Sequence, residues 1–175
     1  MSNRQITHVG FSDESNWSKG RFRSIGLTTC HVDSSSSLEE QLQSLLVESG
    51  ISGFRWSELD GARERFAACK ICKFIVDNTC HDRLHRIHHQ NQTTFGEGVR
   101  NNCLRVDVLI WDTSDSRHNI LGRDDVGNLQ RMYYHLFRNV MRKRWPNSAA
   151  WRFHPDKNTA IRWETIQACL ESKTY

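Results

Sequence analysis

Three aspartates stand just past apolar runs: Asp13 in "FSDESN", Asp112 at the end of "CLRVDVLIWD", and Asp156 in "RFHPDKN". Carboxylates gathered within a few ångströms repel one another unless cations neutralise them. Hard oxygen donors that leave coordination positions for water and phosphate suit Mg²⁺ or Mn²⁺. Two such ions can activate a water and stabilise the leaving oxygen in phosphodiester hydrolysis. Taken singly, each aspartate also suits a turn after a strand, where its side chain bonds local amides. Their joint placement favours a site, because open α/β sheets bind ligands beyond the carboxyl ends of their strands. Glu14, beside Asp13, reads either as an acid that orients a metal-bound water or as a solvated turn residue. Asp107 is an odd number of residues from Asp112 and is expected on the opposite strand face, paired with an arginine or a helix N-terminus.

Other polar groups crowd the same regions. Arg117, His118 and Arg123 follow the expected strand over 103–112, and Lys157 follows Asp156. They are candidates to hold phosphates and to offset carboxylate repulsion. Solvated helix faces are the plainer reading for the remaining basic clusters, Arg83/Arg86 and Arg138/Arg142/Lys143/Arg144. Trp17 and Trp56 are candidates to stack on bases. "CKIC", 69–72, with Cys80-His81, His85, His88 and His89, has metal-like ligands. Cys69 and Cys72 fall on the apolar stripe of an expected helix, so buried thiols are the default and zinc is not expected.

Elements must deliver these groups. Residues 5–12 and 21–30 alternate as paired antiparallel strands, with Gly20 as the pivot of the turn between them. "DSSSS", 33–37, supplies a cap for an amphipathic helix over 38–48. Residues 51–56 read as a short strand, and Ser57 as the cap of a long helix with a stripe of Leu59, Ala62, Phe66, Cys69, Cys72 and Val76. Residues 103–112, almost continuously apolar, read as a central strand covered on both faces. Residues 124–144 form the clearest helix, opened by Asp124 and Asp125 and stopped by Pro146. A strand over 149–154 and a helix over 158–173 close the chain. The order predicts one α/β domain with a mixed sheet of about five strands and helices on both faces.

The 175 residues carry a formal charge of +4, with 37% hydrophobic residues, six Trp and eight Phe. That length and aromatic content suit a folded domain with a core and exclude a wholly disordered chain. The charge permits a polyanionic partner without requiring one. The N-terminus lacks an apolar signal segment and no run is long enough to span a membrane. The six cysteines are therefore expected as reduced thiols in a cytoplasmic protein.

The segments "FSDESN", "RFRSIGL", "RVDVLIWDTSDSRHNI" and "GRDDVGNLQRMYYHLF" together resemble the 3800 family of domains of unknown function, over about residues 7–170. The resemblance implies an RNase H-like fold across residues 1–175, with a helical insertion at about 37–50 and a His-rich helix or loop at about 78–102. It implies a Mg²⁺- or Mn²⁺-dependent nuclease acting on DNA or RNA. Asp13 would be the first-strand ligand, Asp112 the fourth-strand ligand and Asp156 the late acid. Gly53 stands where such proteins carry a glutamate, and Glu58 is the nearest substitute. Members of the family often accompany mobile or defence genes, which implies a protein partner in a larger bacterial assembly. One rival expectation is an inactive module of the same fold that binds a protein or RNA; the other is a zinc-stabilised binding domain built around residues 69–89.

Overall fold

Alternation of apolar and small residues drives the first two strands of the computed structural model, β1 (His8–Ser15) and β2 (Phe22–His31). Gly20, with φ of +80°, lies in the connection between them, as its place in the sequence predicts. The structure describes residues 5–15, 19–55, 59–79, 104–118, 122–156 and 158–172. The later elements are α1 (Val32–Glu48), α2 (Ala62–Asn78), β3 (Arg105–Asp112), a 3₁₀ turn (Ser116–His118), α3 (Asp125–Lys143), β4 (Trp151–Pro155) and α4 (Trp163–Glu171). The chain forms two compact units: residues 1–29 with 106–175, and residues 30–105.

The first unit holds a mixed four-stranded sheet in the order β3-β2-β1-β4. β4 runs parallel to β1, from His8 opposite Trp151 to Ser12 opposite Pro155. α3 buries Leu129, Met132, Tyr133, Leu136, Phe137 and Val140, most of the stripe that its 3.6-residue period predicts. Asp124 caps it, its carboxylate accepting from the Gly127 amide at 2.7 Å. This stripe packs with Ile25 and Leu27 of β2, Trp111 of β3 and Ile166 of α4. At the β1–β4 seam Gly10 leaves room for Phe153, which stacks on Phe137 with ring centroids 4.1 Å apart. Both helices of this unit share that one core.

In the second unit α1 and α2 pack together. Ser49 caps α1, Gly50 takes φ of +69°, and Lys70 Nζ meets Glu48 Oε2 at 2.6 Å. α2 buries Ala67, Ala68 and Phe74. The expected stripe of Phe66, Cys69, Cys72 and Val76 is instead exposed. The period was legible but its phase was not, because two small alanines rather than the thiols make the packed face. Cys30 is buried, and burial pushes its thiol up.

Two expected strands are corrected. Residues 51–55 form no strand, so the sheet has four strands rather than five among the described residues. Residues 105–112 form an edge strand, not a central one. Leu109 and Trp111 pack inward, while Val106, Val108 and Ile110 alternate outward and are exposed.

Candidate functional site

The parallel seam between β1 and β4 brings two of the aspartates together. Phe11 lies opposite His154, their rings stacked with centroids 5.1 Å apart. Ser12 lies opposite Pro155, and the Asp156 amide donates to the Ser12 carbonyl at 2.8 Å. One step further, Asp13 falls beside Asp156. Strand parity puts Phe11 and Asp13 on the face opposite Gly10, which meets Phe153 of the core. Burial pushes the Asp13 carboxyl above its ordinary range, a backbone hydrogen bond at Glu14 opposes this, and the charges of Asp156 and Glu14 push it further up. Mutual repulsion between acids, the sign expected of a site that wants a cation, is therefore present at this seam.

Glu14 faces the other way. One carboxylate oxygen accepts from the Tyr133 hydroxyl and the other from the Asn158 side-chain amide. Burial, then the bond to Glu14, raises the Tyr133 phenol above its ordinary value. Glu14 thus pins the end of β1 to α3 and to the connection between β4 and α4, directly beneath Asp13. Tyr133 and Asn158 were not singled out by the sequence. The signal was a tyrosine inside an apolar stripe, since a buried phenol needs a hydrogen-bond partner.

Asp112 is not brought to Asp13. β2 lies between β3 and β1, and two strand spacings amount to about 10 Å. Arg21 clamps Asp112 with Nε at 2.9 Å and a terminal nitrogen at 2.8 Å, and Ser114 donates from its amide and hydroxyl at 3.0 and 2.7 Å. The hydrogen bonds from Arg21 and then Ser114 hold its carboxyl far below the usual range. The expectation that all three aspartates share one pocket is corrected, because β3 occupies the edge and β4 takes the place beside β1.

The remaining candidates are dispersed. Arg117 forks onto Asp115, with contacts down to 2.6 Å. Arg123 lies just before the cap of α3, and the backbone of His118 ends the 3₁₀ turn. Asp125 pairs with Arg23 at 2.5 Å. Asp107 is largely buried and meets Arg144 at 3.0 Å, one of the two pairings expected for it. Glu58, Lys157, Trp17, Trp56 and the Cys80–His89 constellation lie outside the described residues.

Among the described residues no group of three or more His, Cys, Asp or Glu side chains is placed to hold a metal ion. Asp13 and Asp156 are a pair. Mg²⁺ is commonly held by one or two carboxylates, with water and substrate phosphate completing its shell, so this donor set fits such an ion. No helix among the described residues is long and apolar enough to cross a membrane.

The chain is similar to two proteins of Methanothermobacter thermautotrophicus, "Uncharacterized protein ORF2" and "Uncharacterized protein ORF2'". Each is 39% identical over 168 residues, which cover 93% of this chain and 52% of the relative. The chain therefore spans about half the length of the curated relatives it matches. No family model matches it, and no solved structure does.

Proposed function

We propose that this chain is the metal-binding part of a phosphodiesterase acting on nucleic acid, with Asp13 and Asp156 as its metal-holding pair. The observation that carries the reading is their juxtaposition at the carboxyl ends of neighbouring parallel strands, where the Asp156 amide donates to the Ser12 carbonyl. The sheet order, with β4 parallel to β1, supports an RNase H-like arrangement. In that arrangement β3 is the third strand and β4 the fourth. Asp156 then takes the fourth-strand role that the resemblance assigned to Asp112, and the insertion after β2 grows to include both α1 and α2.

A bound Mg²⁺ or Mn²⁺ would supply a water of lowered pKa and charge neutralisation at the scissile phosphate. The chain's own residues do the positioning. Asp13 and Asp156 present oxygens from adjacent strand ends. Glu14 fixes the β1 end through Tyr133 and Asn158. The stacked Phe11 and His154 rings lie next to the acids on the same face, where an unpaired base can rest.

The test is cleavage of single- and double-stranded DNA and RNA with Mn²⁺ or Mg²⁺. Asp13→Ala and Asp156→Ala should each cost on the order of a hundredfold or more. Asp112→Asn should retain most activity. A loss confined to Asp112→Asn would move the centre to β3. A second reading, a binding module without catalysis, is favoured by the engagement of Asp112 with Arg21. It gains if wild type binds nucleic acid and cuts none of the four substrates.

A further inference from the structure

A concavity lies along the edge strand β3, between it and α3. It encloses about 410 Å³. We propose that this cleft binds a phosphorylated nucleoside, either free or as the terminal residue of a nucleic-acid strand. The proposal rests on the cleft itself and not on the metal reading of Asp13 and Asp156, which lie at the β1–β4 seam.

Size comes first, because pockets of roughly 300–1,000 Å³ accept molecules of nucleotide dimensions. The lining then separates into two chemistries. Leu109, Ile110, Trp111 and Met132 give an apolar side; Ile110 is exposed, whereas Met132 and Trp111, with the Arg23 guanidinium 5.0 Å from its ring centroid, are largely buried beneath it. Arg117, Arg123, Arg131 and His135 bring cationic and polar groups to the same cleft, and Asp112 and Asp115 bring carboxylates, the first held by Arg21 and the second by Arg117. Arg117 is engaged by Asp115. Arg123 and Arg131 show no ion pair with a carboxylate among the described residues, so their guanidinium groups remain to fork onto phosphate oxygens.

His135 sharpens the assignment. Arg131 Nε donates to His135 Nε2 at 3.2 Å. Burial first, then the charges of Arg131 and Arg138, lower the imidazole's pKa. An imidazole held by Arg131, beside a second arginine in the same cleft, suits an oxygen-rich anion. Trp111 adds a separate mark, since its indole N–H is buried without an acceptor. Buried donors are nearly always satisfied, and an acceptor atom on a bound molecule would satisfy this one. Inorganic phosphate would use the arginines but leave the apolar wall bare. A nucleoside without phosphate would do the reverse.

Calorimetric titration of the full chain with the four ribonucleoside monophosphates, the parent nucleosides and inorganic phosphate tests this. At least one monophosphate should bind with a Kd of about 100 µM or tighter, and the nucleosides and inorganic phosphate at least about tenfold more weakly. Arg131→Ala and Arg123→Ala should each weaken binding about tenfold, and Trp111→Phe several-fold. Arg152→Ala removes one positive charge from β4 and should leave binding unchanged. Melting curves establish that each variant is folded, and Arg131→Lys keeps the charge while losing the fork. Oligonucleotides with a 5′-phosphate or a 5′-hydroxyl form the second arm. Preference for the phosphorylated end over the free monophosphate assigns a strand terminus, and the reverse assigns a free nucleotide. The proposal is overturned if no phosphorylated nucleoside binds in either arm, if inorganic phosphate binds as tightly, or if Arg152→Ala weakens binding as much as Arg131→Ala.

Discussion

Glu14 and Asp13 are sequence neighbours with opposite assignments, and strand parity separates them. Asp13 reaches the face with Asp156, whereas Glu14 turns inward to Tyr133 and Asn158. Tyr133→Phe should remove one donor from a part-buried carboxylate and cost about 1–2 kcal/mol, read from urea unfolding. The pH signature has a definite sign. The folded-state phenol titrates above its ordinary value near 10. Its contribution is therefore full below that pH and is lost as pH rises beyond it, a loss the phenylalanine variant should lack. Asp13 and Asp112 also oppose one another. The raised Asp13 makes stability fall as pH climbs past the ordinary carboxylate range, while the lowered Asp112 makes it fall as pH drops below that range. The sequence showed three acids after apolar runs. It held no sign that Arg21 would claim one of them, because that pairing spans 91 positions of chain.

Elements were more legible than sites wherever a local period decided them. β1, β2, α3, β4 and α4 follow alternation, helical spacing and caps in the sequence; α1 follows its helical spacing, but it starts at Val32, so the serines expected to cap it lie inside it and His31 is the cap. What failed was placement across the sheet. The near-continuous apolar run of β3 resembles a strand buried on both faces, but Val106, Val108 and Ile110 are exposed at an edge. Strand order is set by which seam packs best, and the seam beside β1 goes to β4. Gly10 makes that seam. A β-carbon added there would lie 2.7 Å from Phe153 and 3.2 Å from Thr29. Phe153 has little freedom to yield, being stacked on Phe137 and on Trp151. Gly10→Ala should therefore destabilise by about 1–3 kcal/mol through overpacking. Because the same seam aligns Asp13 with Asp156, the variant should also weaken any Mg²⁺-induced rise in melting temperature. Gly26→Ala, with open space around the added carbon, should leave both unchanged.

Across the whole molecule the charge of +4 favours a polyanion, yet the proposed chemistry places two carboxylates where that polyanion must arrive. Long-range attraction and local repulsion therefore oppose one another until a cation intervenes. Wild type in EDTA should bind an oligonucleotide weakly, and Mg²⁺ at constant ionic strength should tighten binding although free Mg²⁺ competes for phosphates. Neutralising both acids, Asp13→Asn with Asp156→Asn, removes the repulsion without the metal. That variant should bind several-fold more tightly than wild type in EDTA, show little further gain with Mg²⁺, and cut nothing. Fluorescence anisotropy with a labelled strand reads the first two quantities and gel analysis the third. Equal binding by wild type and the double variant in EDTA would mean that nucleic acid does not approach the β1–β4 edge. The paired aspartates would then be a surface feature of the sheet end, and the arginine-lined cleft beside α3 would be the remaining place on the first unit for phosphate chemistry.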